Sequence, residues 1–109
     1  MSAGTARDKC SKGDILVAQS PGSSAGSNGE TSYEVEIVNK SPTGTSIFDI
    51  HLSCGLLSST GVINPKIIKR LSFNDCLVNG GQPLRAGLVL SFTYTSTVRY
   101  DLSVSSIQC

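Results

Sequence analysis

Apolar and polar positions alternate one by one along much of this chain. Tyr33, Val35 and Ile37 fall on one side of a segment whose other side carries Glu34 and Glu36. A period of two is the signature of a half-buried strand. Phe48, Ile50 and Leu52 repeat it, with Asp49, His51 and Ser53 opposite. Leu88, Leu90, Phe92 and Tyr94 form a third alternation, and Tyr100, Leu102 and Val104 a fourth. Residues 14–19 and 67–73 read as further strands. Residues 40–45 and 79–83 are turns, rich in Gly, Pro, Asn, Ser and Thr. Residues 20–29 hold no apolar side chain larger than Ala and are expected to form a mobile loop. No window has a convincing helical period, although a single turn fits near 58–60 or 64–66. The pattern predicts an all-β fold of about seven short strands, at the spacing of a sandwich or barrel. One-sided sheets must bury their apolar faces, so an antiparallel β-sandwich is the natural architecture.

The chain has 109 residues, enough for one domain. Charged residues make up only 16%, below the usual quarter or so, with Ser, Thr and Gly in their place. This is not the composition of a disordered tail, a coiled coil or a helical bundle. A net charge of +1 gives no support to nucleic-acid binding through a basic surface. No apolar run approaches the ~18 residues of a membrane-spanning helix. Residues 1–9 read as a flexible leader and residues 10–109 as the folded domain. A monomer is expected.

The four cysteines, Cys10, Cys54, Cys76 and Cys109, form no CxxC pair, so zinc-ribbon and thioredoxin-type readings fail on spacing. An even count across a small Ser- and Gly-rich domain points to two disulfides. Cys10 and Cys109 bracket the patterned region, where bridges would tie down ends that otherwise fray. Each terminal cysteine is expected to join an internal one, docking an end strand on the core. Cys10–Cys76 with Cys54–Cys109 is favoured over Cys10–Cys54 with Cys76–Cys109. Disulfides imply an oxidising compartment. The leader lacks the apolar stretch of a signal peptide, which leaves two expectations. The preferred one is a mature, extracellular chain; the other is an intracellular chain with reduced cysteines.

Catalytic chemistry finds little footing. Asp49, His51 and Ser53 have the residue types of a hydrolase triad, but alternate strand residues stand parallel, ~6.5–7 Å apart, and do not converge. His51 and Cys54 could be two metal ligands, yet a site needs three or four and His51 is the sole histidine. The glycines at 22, 26 and 29 have no following GK[ST] or helix, so they form no phosphate loop. Glu34 and Glu36 alternate with core positions and read as a wet face rather than a glycosidase pair. No enzyme activity, metal or cofactor is implied. A sugar-binding platform normally uses exposed Trp or Tyr. Trp is absent, and Tyr33, Tyr94 and Tyr100 occupy core-side positions.

Lys66, Lys69 and Arg70 form the one dense basic cluster. In phase with Ile67, Leu71 and Phe73, Lys69 points toward the apolar side, as an inward charge does on a protected edge strand. The functional alternatives are a partner-docking patch or a dibasic processing site at Lys69–Arg70. Asn39-Lys40-Ser41 is an N-glycosylation sequon, weakened by Pro42. Loops carry binding more often than sheets, which draws attention to residues 55–65 and 79–87.

Four stretches together resemble the plant tapetum determinant family: Cys10-Ser-Lys-Gly-Asp-Ile15, Ile50-His-Leu-Ser-Cys-Gly55, residues 63–79 with their Asn74-Asp-Cys-Leu-Val-Asn79 run, and Leu102-Ser-Val-Ser-Ser-Ile-Gln-Cys109. The resemblance covers nearly everything from Cys10 to Cys109. It implies a small secreted signalling protein without enzymatic activity. Founding members act in anthers as ligands of a leucine-rich-repeat receptor kinase and promote tapetal cell fate. This chain departs from them in places. Their two extra cysteines correspond to Ser41 and Thr45, and their joint absence implies that those two pair with each other. Their Cys-Gly-Trp-Phe segment is Cys54-Gly-Leu-Leu57 here, and a Phe-Pro-Tyr segment is Val98-Arg-Tyr100. The chain therefore reads as a divergent member. Expected is an extracellular ligand of a leucine-rich-repeat receptor kinase, with Lys66, Lys69 and Arg70 as partner-binding residues. The alternatives are a non-catalytic cell-wall carbohydrate-binding module and a degenerate paralogue without a partner.

Overall fold

The computed structural model describes residues 10–25 and 29–109, with the side chains of 23–25 left aside. The expected leader at 1–9 and part of the expected loop at 20–29 lie outside the described residues. Seven strands follow in order: β1 (Ile15–Ala25), β2 (Thr31–Asn39), β3 (Phe48–Ser53), β4 (Ile68–Ser72), β5 (Asp75–Val78), β6 (Val89–Ser96) and β7 (Ser103–Gln108). They form two antiparallel sheets, ordered β1-β2-β6 and β4-β5-β3-β7. The all-β sandwich read from the pattern is the observed fold. Regular helix is confined, among the described residues, to 3-10 turns at Lys12–Asp14 and Asn79–Gly81.

Inward positions of both sheets make the core. β2 contributes Val35 and Ile37 and β6 contributes Phe92 and Tyr94, against Ile50 and Leu52 of β3 and Cys76 and Val78 of β5. Glu34 and Glu36 face outward, as their alternation requires. Ile47 and Leu84 close one end through a pair of backbone hydrogen bonds, Ile47 N–H to Leu84 C=O at 3.1 Å and the reverse at 2.7 Å.

Three expectations are corrected. The first is the loop at 20–29. β1 continues through it to Ala25, with Pro21 opposite Tyr33 and Ala25 opposite Thr31. β1 is a sheet edge, where Pro costs no ladder bond and side chains need not be apolar.

The second is the disulfide pairing. Cys10 joins Cys109 and Cys54 joins Cys76. The 3-10 turn before β1 packs against β7, so the two ends of the domain meet each other. Cys54 and Cys76 are already neighbours: Leu52 pairs with Cys76, and Cys54 lies two residues beyond Leu52. The inner bridge is fully buried, while Cys109 is exposed.

The third is the phase of the strand at 67–73. Ile68 is the buried residue, and Lys69 through Phe73 are all exposed. Lys69 therefore points away from the core. An irregularity between Arg70 and Ser72, where β4 carries one residue more than β5, ends the simple alternation.

Candidate interaction surface

β4 and its flanks bring the basic residues together. Asn64 starts the feature: its Oδ1 accepts from Lys66 N–H at 2.9 Å, and its C=O accepts from Ile67 and Ile68 N–H at 3.0 and 3.2 Å. This single turn, anticipated near 64–66, presents Lys66 beside the start of β4. Lys69 and Arg70 follow within the strand. β4 is an outer strand of its sheet, as the edge reading required.

The hairpin tip is held rigidly. Asn74 adopts a left-handed conformation, φ +61°, which Asn tolerates better than other non-glycine residues. Its N–H donates to Gly55 C=O at 2.7 Å, and its Oδ1 accepts from Gly55 N–H at 2.8 Å. One residue from Gly55, the Cys54–Cys76 bridge ties the same loop to β5. The clamp leaves apolar side chains in water on either side: Leu56 is 57% exposed, Leu71 48% and Phe73 69%. Leu57, by contrast, is buried in the core.

The electrostatics are one-sided. The ion pairs among the described residues are His51–Asp75 at 2.7 Å and Arg99–Asp101 at 3.0 Å. Lys66, Lys69 and Arg70 belong to neither. The carboxylate on the adjacent strand, Asp75, is engaged by His51 Nδ1. Three cations thus stand on an exposed edge without an ion-pair partner among the described residues, beside apolar side chains.

His51 pairs with Asp75 of β5, so Asp49, His51 and Ser53 assemble no triad. Cys54 is committed to a disulfide and is no metal ligand, and no group of three His, Cys, Asp or Glu that could hold a metal occurs among the described residues. Tyr94 is buried, stacked on Tyr33 with centroids 5.1 Å apart and tilted against Tyr100 at 5.6 Å. Its hydroxyl donates to Gln19 Oε1 at 2.7 Å and accepts from Tyr100 N–H at 3.0 Å. Burial raises the Tyr94 pKa above its ordinary 10.0, a shift the Tyr100 backbone hydrogen bond opposes.

Asn39, marked as a glycan acceptor, is 0% exposed. Its Nδ2 donates to the carbonyls of Thr45 and Leu84, both at 2.8 Å, and its Oδ1 accepts from Ser41 N–H at 2.8 Å. The atom a glycan would use is a structural donor in the folded chain. The Ser41 hydroxyl in turn accepts from Thr45 N–H at 3.1 Å, so residues 39–45 are knit together by side-chain bonds. The loop at 79–87 belongs to this buried network, through Leu84. The loop at 55–65 flanks the basic edge.

The exposed Leu71 and Phe73 were not legible as a surface feature, because apolar residues at alternate positions read as core. The Asn64-Pro65 pair was the available signal that a turn resets the phase there.

The family described as "Tapetum determinant 1, C-terminal" matches residues 11–109. A TPD1 protein homolog 1 from Arabidopsis thaliana is 46% identical over 100 residues, covering 92% of this chain and 55% of that protein. TPD1 protein homologs 1B and 1A from Oryza sativa subsp. japonica are 36% and 34% identical, covering 94% of this chain in each case and 59% and 48% of their own lengths. The chain thus spans about half the length of these relatives. No solved structure matches.

Proposed function

The chain belongs to the tapetum determinant family, and from that premise we propose that it is an extracellular plant signalling protein that binds the ectodomain of a leucine-rich-repeat receptor kinase, in anther cell-fate specification. It acts by docking, without catalysis. The observation that carries this reading is the β4 edge, where Lys66, Lys69 and Arg70 stand without an ion-pair partner among the described residues, beside exposed Leu71 and Phe73. Cations and large apolar side chains on one rigid ridge have the character of a docking surface; elsewhere, exposed apolar residues are usually scattered singly. Two disulfides fit an oxidising, extracellular setting.

The test is a titration of the intact protein against a purified leucine-rich-repeat ectodomain, compared with Lys66→Glu/Lys69→Glu/Arg70→Glu. Saturable binding weakened at least about tenfold is expected, since a reversed charge replaces attraction with repulsion at three positions. Undiminished binding would remove the ridge from the account.

A second reading, glycan binding, has one feature in its favour. A cavity of about 290 Å³ at one end of the sandwich is lined by Glu30, Ser58, Thr60, Thr95, Thr97 and Tyr100, among others. Hydroxyls, a carboxylate and a half-buried ring are groups that sugars engage. A glycan array is expected to separate the readings: signals lost on Tyr100→Ala would favour this one, and a blank array would end it.

A further inference from the structure

The backbone of β4, and not only its side chains, is open to a partner. The register fixes which groups face outward. Asn79 N–H donates to Ile67 C=O at 2.8 Å, one step beyond the pairs Ile68–Val78, Lys69–Leu77 and Arg70–Cys76. In an antiparallel ladder, bonded and non-bonded pairs alternate. Ile67 and Lys69 therefore bond toward β5, whereas Ile68 and Arg70 turn their amides and carbonyls toward the free edge. Asn64 C=O takes the Ile68 amide. The Ile68 carbonyl and both backbone groups of Arg70 remain, on a strand that no other described strand covers.

We propose that this edge receives an extended, acidic peptide segment of the partner as an added strand. This rests on the docking reading above and names its mode. The incoming backbone pairs with Ile68 and Arg70. Carboxylates on one face of the added strand meet Lys69 beside Lys66, a carboxylate on the other face meets Arg70, and its apolar side chains cover Leu71 and Phe73. Strand addition of this kind takes affinity from main-chain bonds and specificity from alternate side chains. The charges also select against the wrong occupant. A second copy would have to offer β1, β4, β6 or β7, the outer strands of the two sheets, and none of these carries a carboxylate. Pairing β4 with β4 would set like charges against each other, which is how natural edges avoid self-association.

The probe is a capped Glu–Val octapeptide of two Glu-Glu-Val-Val repeats, which places carboxylates on both faces of a strand, with the matching Lys–Val peptide as control, added to the disulfide-intact protein. Amide hydrogen exchange and affinity are both read. The Glu–Val peptide is expected to slow exchange at the Arg70 amide about tenfold, while the Lys–Val peptide leaves it unchanged. Two variants separate backbone from charge. Arg70→Gln keeps the amide and should weaken binding no more than about fivefold, the range of one exposed ion pair. Arg70→Pro loses the amide as well, at an edge position where Pro is tolerated. It should weaken binding about tenfold further, the upper range for one hydrogen bond. If Arg70→Pro does not fold, the wild-type exchange result decides alone. Binding with an unprotected Arg70 amide, or equal losses in the two variants, overturns strand addition while leaving a side-chain patch. No binding of the acidic peptide also overturns it. The ectodomain titration, measured separately, then decides the docking reading itself.

Discussion

Replacing Asn39 by Ala should be among the most damaging single changes in this domain. The carboxamide is 0% exposed and makes three hydrogen bonds, to Thr45 C=O, Leu84 C=O and Ser41 N–H. Truncation removes all three partners at once. The Leu84 carbonyl keeps the Ile47 N–H and Thr45 is partly open to water, so the buried Ser41 N–H is the group left without a partner. A buried orphan costs roughly 1–3 kcal/mol. Total stability for a domain is typically about 5–15 kcal/mol. At roughly 4–8 °C per kcal/mol, even the lower figure shifts the melting temperature by about 4 °C or more. Thermal unfolding by circular dichroism, with disulfides intact, measures this directly. A loss of less than about 3 °C would sink this prediction, since it would mean that the Ser41 amide finds another partner. The same geometry predicts that correctly folded protein from a glycosylating host carries no sugar on Asn39. An intact mass with one glycan and unchanged stability would contradict the burial.

The two disulfides should respond differently to reductant: the exposed Cys10–Cys109 bridge opens first and the buried Cys54–Cys76 bridge later, as timed alkylation and peptide mapping will show. In the loop-closure model the outer bridge, spanning 99 residues, contributes about 4.7 kcal/mol and the inner one, spanning 22, about 3.4 kcal/mol. Cys10→Ser/Cys109→Ser should therefore lower stability substantially without disturbing the core, which denaturant titration measures. Alkaline pH should also destabilise the protein. The folded Tyr94 pKa lies above the unfolded 10.0, so its contribution is complete below pH 10 and falls as pH rises through the folded value. A pH series of melting temperatures above pH 9 checks this, and Tyr94→Phe should flatten the decline while itself losing the bonds to Gln19 and Tyr100.

The fold was legible wherever one face of a strand is buried. Tyr33 to Ile37 and Phe48 to Leu52 announce their sheets because burial of alternate side chains imposes the period. β1 beyond Gln19 was not legible, because its outer half is held by backbone pairing at a sheet edge and needs no apolar residues. The strand Asp75–Val78 was not separately delimited. It is only four residues long and returns from β4 through a tight turn at Asn74. Ile67 and Ile68 are adjacent, so either phase of β4 fits the sequence; only packing chooses Ile68. The disulfide pairing depends on which ends of the chain meet in space, which strand periodicity does not encode. The basic cluster was legible as a cluster. Its lack of ion pairs and its apolar neighbours emerged only from three-dimensional placement, as did the buried role of Asn39, since a sequon reads identically on a surface and in a core.

Hydrogen exchange of the protein alone and bound to a leucine-rich-repeat ectodomain would locate the docking surface. The account predicts slowed exchange across residues 64–73, strongest at Arg70, and at the clamped loop around Gly55 and Leu56. Saturable binding with β4 unchanged, and protection instead on the outer face of β2 around Glu34 and Glu36, would contradict it.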